Sequence, residues 1–412
     1  MPEKIVLAYS GGLDTSVAIK WIKENYGYDV VALTIDLGSE RDLPAIRDRA
    51  LQVGAVDAKI VDGRDLFLKY FAFPALQAGA IYEREYPLAT AIGRPLIAKL
   101  LVDVAHEVGA KAVAHGCTGK GNDQVRLDVS VTALDPTLQI IAPVREWKLS
   151  RPAEIEYAQK NNIPIPASVN SPYSTDVNLW GRSIEAGILE DPWVEPPAEV
   201  WLWTKNPEDA PNKPEYVEIE FENGIPVGLN GEEMDGVTLV QKLNDLAGEH
   251  GIGRIDHVEN RLVGIKSREI YESPAAVVLH QAHSALEDMC LSRDQARFKT
   301  LVSNQISEMI YNGLWFSALH QDLRAFVQSS QRNVVGTVRL KFFKGTSMIV
   351  GRKSPKSLYR IDLATYDEGD TFDSDAALGF IKLWGLPLQT QTKYQLGGGA
   401  SDLPKLTGGD ES

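Results

Sequence analysis

Two cysteines, Cys117 and Cys290, in 412 residues are too few for a disulfide framework or a Cys-rich metal site. Basic excess is lacking too: 42 Lys and Arg stand against 56 Asp and Glu, a formal charge of −14. So acidic a surface repels a phosphate backbone and argues against nucleic acid as a partner, unless the fold hides a basic patch. No apolar run approaches the roughly 20 residues that span a bilayer. The start, Met1-Pro2-Glu3-Lys4-Ile5, runs into a short apolar strand without a signal-peptide pattern. A cytoplasmic location without membrane contact is the expectation. No internal repeat occurs, no Gly-x-x-x-x-Gly-Lys-Ser/Thr phosphate loop, and no Gly-x-Gly-x-x-Gly in the first turn. His280 and His283 lie three apart without an acidic ligand pattern, so no resident metal site is expected.

What remains is a globular composition, 44% hydrophobic and 24% charged, in a chain long enough for two or three domains. Residues 1–165 alternate β-rich runs with helical patterns. Ile5-Val6-Leu7-Ala8-Tyr9 and Val30-Val31-Ala32-Leu33-Thr34-Ile35 are continuous apolar runs, as expected of strands buried on both faces. Val17, Ala18, Trp21 and Ile22 fall at helical spacing between them, and 43–53 reads as a second helix. Further strands are expected at 59–61, 112–115 and 139–144. Such alternation implies an α/β fold with a doubly wound parallel sheet, whose ligands bind beyond the carboxyl ends of the strands. The loops after Tyr9, Ile35 and His115 should share one crevice.

Proline and tryptophan crowd residues 150–215, where periodicity is weak, and this stretch reads as a long connector. A second, α+β domain over 166–365 is expected to follow. Its signals are a strand at 216–221 turned by Asn223-Gly224, a helix capped by Ser273 with Pro274 at its first position, and a hairpin turning at Lys344-Gly345. Within 366–396 a last amphipathic helix, from Ser374 to Trp384, carries Ala377, Leu378, Ile381 and Leu383; its own chain or another subunit can cover it. The small, polar end, 397–412, is expected to be disordered.

Ser10-Gly11-Gly12-Leu13-Asp14-Thr15-Ser16 follows the first strand and opens the first helix. Adjacent glycines let backbone N–H groups approach a polyanion. Hydroxyls add donors, and the helix start adds a positive dipole end. The pattern resembles the PP-loop ATP pyrophosphatases, and that resemblance implies cleavage of ATP between the α and β phosphates. A second stretch, Gly116-Cys117-Thr118-Gly119-Lys120-Gly121-Asn122-Asp123-Gln124-Val125-Arg126, mixes glycines with amide, acid and base and reads as a ligand loop. Cys117 lacks a nearby base and is taken as packing; His115 is taken as a buried, hydrogen-bonded histidine.

Together with Ala8 to Ser16, this loop resembles argininosuccinate synthase. So do Glu185-Ala186-Gly187-Ile188-Leu189-Glu190-Asp191-Pro192, Gly253-Arg254-Ile255-Asp256, Ile270-Tyr271-Glu272 and Tyr311-Asn312-Gly313-Leu314-Trp315-Phe316. The likeness runs over about 4–390. It implies a ligase in which citrulline's ureido oxygen attacks the α-phosphate of ATP, giving citrullyl-AMP and pyrophosphate, after which aspartate's amine displaces AMP. It further implies Mg²⁺ with the ATP, a homotetramer, and a C-terminal oligomerisation helix.

Carried over by residue, Ala8, Tyr9, Ser10, Gly11, Gly12, Leu13, Asp14, Thr15, Ser16, Ile35 and Gly116 are expected at ATP. Tyr86, Asn122, Arg126, Ser174, Ser183, Glu259 and Tyr271 are expected at citrulline, and Thr118, Asn122 and Asp123 at aspartate. Ala91 departs from the pattern, many members having serine there; the hydroxyl is either lost or supplied by Thr90. Asp14, Asp123 and Arg126 are the catalytic candidates, with Asp123 or the adenylate's own phosphate as general base. A tRNA-thiolating PP-loop enzyme would want paired cysteines and a basic surface, and a glutamine-driven amidating one a cysteine-bearing glutaminase domain. A non-catalytic ATP sensor would not need intact Asp14, Asp123 and Arg126.

Overall fold

The computed structural model describes residues 2–119, 121–147, 149–164 and 172–396; the tail 397–412 lies outside them. Met1–Leu358 forms one compact unit and Tyr359–Ser412 a second. In the first unit, strands β1 (Lys4–Ala8), β2 (Asp29–Asp36), β3 (Asp57–Asp62), β4 (Ala112–Ala114) and β5 (Gln139–Ile141) form a parallel sheet of order β3-β2-β1-β4-β5. After Lys4, β1 is apolar because both faces are covered. Ile5 and Leu7 join Ile19, Ile22 and Ile46 on one side, and Val6 joins the core containing the Ala89–Val108 helix on the other. Each fully buried side chain of this kind contributes roughly 1.5–3 kcal/mol. The chain runs outward from β1 to β2 and β3, then crosses back to β4, so the strand order reverses between β1 and β4. Their carboxyl ends flank the crevice.

The last strand ends at Ile141 and not at residue 144, because Pro143 cannot donate to a ladder and opens the short Pro143–Trp147 helix. The stretch expected to be a connector also holds more structure than its sequence suggests. It contains the Arg151–Lys160 helix, capped by Ser150, and two strands, β6 (Ser174–Asn178) and β7 (Gly181–Glu185). These join β11 (Arg254–Asn260) and β12 (Lys266–Glu272) in an antiparallel sheet of order β11-β12-β7-β6. A second antiparallel sheet, β10-β9-β8-β13-β14, uses β8 (Glu215–Glu222), β9 (Ile225–Leu229), β10 (Glu232–Glu233), β13 (Gly336–Phe343) and β14 (Thr346–Lys353). Both expected hairpins are there. Asn223 (φ 51°) and Gly224 (φ 74°) turn β8 into β9, and Lys344-Gly345 turn β13 into β14. The Pro274–Cys290 helix starts where expected, but the Ser273 side chain makes no capping bond.

In the second unit the Ser374–Tyr394 helix continues ten residues past the expected 384, through Pro387, and buries none of its residues.

Candidate active site

The helix Leu13–Tyr26 begins after Gly12 without a side-chain cap, so its first N–H groups point into the crevice. Gly11 (φ +80°) makes the turn, and a Cβ there would sit 2.9 Å from Ile46 Cγ1. Hydroxyls brace the turn: Tyr9 Oη to Ser16 Oγ at 3.0 Å and Ser10 Oγ to Thr15 Oγ1 at 3.1 Å, while Ser16 Oγ donates to Gly12 O at 2.7 Å. Arg49 donates to Gly11 O at 2.6 Å. Asp14 is ion-paired with Arg151 at 2.6 Å, and Arg151 also holds Glu154 at 2.9 Å. Burial first, then the neighbouring Asp14, pushes the Glu154 carboxyl up to about 8. The second loop presses on the first, since a Cβ on Gly116 would lie 2.9 Å from Thr15 Cγ2. Ile35 is the penultimate residue of β2, beside Gly63.

Asn122, Asp123 and Arg126 lie in the first turns of the Asn122–Leu134 helix, three and four residues apart on one face. Arg126 pairs with Asp123 at 2.9 Å, and Arg94 with Asp123 at 2.6 Å; Arg94 also pairs with Asp176. Burial raises the Asp123 carboxyl, but the two guanidiniums reverse that and hold it well below the usual carboxylate range. An anion held that firmly is a poor general base. Burial raises the Cys117 thiol to about 12, which leaves it an inert packing group. His115 is buried; its Nε2 meets Asp128 at 2.6 Å, and its Nδ1 accepts Cys117 N–H at 3.2 Å.

The polar wall opposite is one face of the β11-β12-β7-β6 sheet. Asp176, Ser183, Tyr271 and Ile255 stand in register across its four strands. Residues two apart share a face, which adds Ser174, Glu185, Glu259 and Glu269. Glu259 is 2% exposed. Tyr271 donates to it at 2.9 Å, Tyr311 at 2.6 Å and Asn122 at 3.3 Å. Tyr86 stacks on Tyr271 with centroids 4.2 Å apart, and its hydroxyl meets Thr90 Oγ1 at 2.6 Å. Arg261 bridges Glu185 and Glu269, and burial, then Glu185 and Glu259, raises the Glu269 carboxyl to about 9.

Ser174 and Thr118 are exposed at the edges, apart from this network. Sequence reasoning missed Arg94, Asp176, Glu269, Arg261 and Tyr311. Two of them had a visible signal: Arg94 is a charge inside the apolar run Ala89-Thr90-Ala91-Ile92-Gly93-Arg94-Pro95-Leu96, and Tyr311 opens one of the resemblance motifs.

A parallel α/β sheet with an uncapped Gly-Gly helix start at its switch point, facing a polar wall, defines the class of PP-loop ATP-using enzymes. Comparison with known proteins narrows the class. The Arginosuccinate synthase N-terminal HUP domain matches residues 4–164, and the Arginosuccinate synthase C-terminal domain residues 173–391. A protein named argininosuccinate synthase from Dehalococcoides mccartyi (strain CBDB1) is 60% identical over 96% of this chain and 97% of its own length. Its namesake in Symbiobacterium thermophilum is 59% identical over 95% and 98%, and that of Oceanobacillus iheyensis 55% over 98% and 97%. The chain belongs to the argininosuccinate synthase family.

Proposed function

We propose that the chain joins citrulline to aspartate at the expense of ATP, releasing AMP and pyrophosphate and forming argininosuccinate for arginine synthesis. Glu259 carries this proposal. Among the described residues it is a buried acid whose partners are all neutral donors, so a ligand ammonium can supply the missing positive charge. The ATP phosphates rest on Ser10 to Ser16, with Ala8, Tyr9, Ile35 and Gly116 around the nucleotide. Citrulline lies between Tyr86, Thr90, Asn122, Arg126, Ser174, Ser183, Glu259 and Tyr271. Its ureido oxygen attacks the α-phosphorus, and pyrophosphate leaves.

Aspartate, held by Thr118, Asn122 and Asp123, then attacks the activated carbon through its amine. The C–O bond to AMP breaks, and the amine proton departs with the adenylate phosphate. Asp123 binds and orients the substrate, while the adenylate takes the proton. Fixing both substrates replaces a bimolecular encounter, worth up to roughly 7–11 kcal/mol. The hard oxygen donors Asp14, Ser10 and Thr15 fit a Mg²⁺ ion arriving with the nucleotide, whose charge would neutralise the leaving diphosphate.

The same reading places the enzyme in the cytoplasm as a homotetramer. The exposed Leu378, Ile381, Leu383 and Trp384 of the Ser374–Tyr394 helix give an associated copy its surface. Pyrophosphate release from ATP, measured with each amino acid omitted in turn, tests the chemistry. Release should require citrulline, and AMP turnover should require both; release indifferent to citrulline overturns the substrate assignment.

A further inference from the structure

Tyr311 closes the Arg293–Tyr311 helix and touches three of the expected site residues with three different groups. Its hydroxyl meets Asn122 Nδ2 at 2.8 Å and Glu259 Oε1 at 2.6 Å. Its carbonyl accepts from Arg126 Nε at 2.8 Å, and its ring lies under the Arg126 guanidinium at 4.6 Å. From behind, Tyr82 stacks on that ring at 3.6 Å and is tied to β11 through Tyr82 Oη to Asn260 O at 2.8 Å. Gly313 (φ +77°) lets the following turn pass Arg126, where a Cβ would lie 2.8 Å from the arginine Cα.

The proton direction along this network has one solution. The Leu262 backbone N–H can only donate, and it meets Asn122 Oδ1 at 2.9 Å, which turns Asn122 Nδ2 toward Tyr311. That amide nitrogen also can only donate, so the Tyr311 oxygen accepts from it. The tyrosine's own proton is then left for Glu259. Tyr271 donates to the other carboxylate oxygen at 2.9 Å. Both oxygens of Glu259 therefore receive neutral donors of fixed sense.

We infer that Tyr311 is a positioning residue for this reaction: it holds Glu259 as an oriented carboxylate acceptor, and through it sets how strongly the site demands an α-ammonium on the ureido substrate. The inference rests on the citrulline reading above. Its test compares citrulline with 5-ureidopentanoate, which keeps the ureido group and carboxylate and lacks the ammonium. Affinities are taken as the citrulline KM and the competitive inhibition constant of the analogue, at saturating ATP. In the unmodified enzyme the preference for citrulline should be about a hundredfold, the scale of a charged hydrogen-bonded contact without water.

Tyr311→Phe keeps the ring for Tyr82 and Arg126 and removes only the hydroxyl. It should cut the preference to about tenfold or less, with the ATP KM within about twofold and the citrulline KM changed more than kcat. A generally loosened fold would instead raise every KM and leave the preference intact. An unchanged preference in a folded Y311F overturns the inference while the substrate reading stands. A preference under about threefold in the unmodified enzyme overturns it without any variant. Pyrophosphate release that ignores citrulline removes the substrate reading and the inference with it.

Discussion

The two walls of the crevice are built on opposite principles. The wall proposed for the nucleotide is local: eight consecutive residues, Tyr9 to Ser16, turn, brace themselves with their own hydroxyls and leave helix N–H groups free. The wall proposed for the amino acids is assembled from β6, β7, β11, β12, three helices and a turn, and its key groups, Asn122, Glu259 and Tyr311, are up to 189 residues apart. A phosphate chain offers a uniform polyanion that repeated backbone donors can hold. A zwitterionic amino acid with a ureido end needs single groups of each sign in fixed places, and only tertiary structure supplies those.

Removing a charge from the assembled wall should have the largest effect. Glu259→Gln keeps the shape of the side chain and abolishes the anion, and its NH₂ can no longer accept from one of the two tyrosines. The citrulline KM should rise about a hundredfold or more, the scale of a buried charge contact deprived of one partner. The ATP KM should stay within about twofold; equal rises in both would mean that the two walls are not separable. On the local wall the corresponding probe is Gly116→Ala. Its new Cβ, 2.9 Å from Thr15 Cγ2, must push the Thr15 side chain, with its hydroxyl, out of place in the phosphate turn. We expect the ATP KM to rise roughly tenfold, an overpacking cost of the order of 1–3 kcal/mol, with citrulline dependence little changed.

A smaller effect comes from the acid behind the phosphate turn. Glu154 is raised to about 8 in the folded chain, against an ordinary 4.5. Below 4.5 both folded and unfolded states hold the proton. Between 4.5 and about 8 only the folded state does, so the stability owed to this group falls as pH rises through that window and is flat above it. Melting temperatures of wild type and Glu154→Gln, taken from pH 5 to 8.5, should diverge to the disadvantage of wild type. Parallel curves would show that Glu154 does not hold its proton.

These differences also explain what could be read from the sequence. Continuous apolar runs revealed β1 and β2, since burial on both faces leaves no alternation to decode. The Ser-Gly-Gly turn was legible because the residues that shape it are its own neighbours. β6 was hidden for the converse reason: Ser174-Thr175-Asp176-Val177-Asn178 turns a polar face to the site, so hydrophobic alternation is missing where chemistry is present. Glu269 and Arg261 read as ordinary surface charges until the sheet register sets Glu269 beside Glu185 and the bridge forms. Asp123 was expected at the site from its loop alone, yet its low basicity follows from Arg94, 29 residues upstream.

The smallest expected change concerns Ala91, where many members of the family have serine. Ala91 is fully buried, and its N–H lies 3.4 Å from Tyr86 Oη. That phenol oxygen already receives Thr90 N–H at 2.9 Å and shares a 2.6 Å hydrogen bond with Thr90 Oγ1. One donor and two acceptor sites are all a phenol has, so a hydroxyl added at position 91 finds Tyr86 occupied. Ala91→Ser should therefore move the citrulline KM by less than about threefold. Thr90→Val, which strips the existing partner from Tyr86, should raise it by about tenfold, in keeping with one lost hydrogen bond. The reverse order, a serine at 91 lowering the KM tenfold while Thr90→Val leaves it unchanged, would mean that the substrate is read directly from position 91 and that Thr90 serves only the helix start.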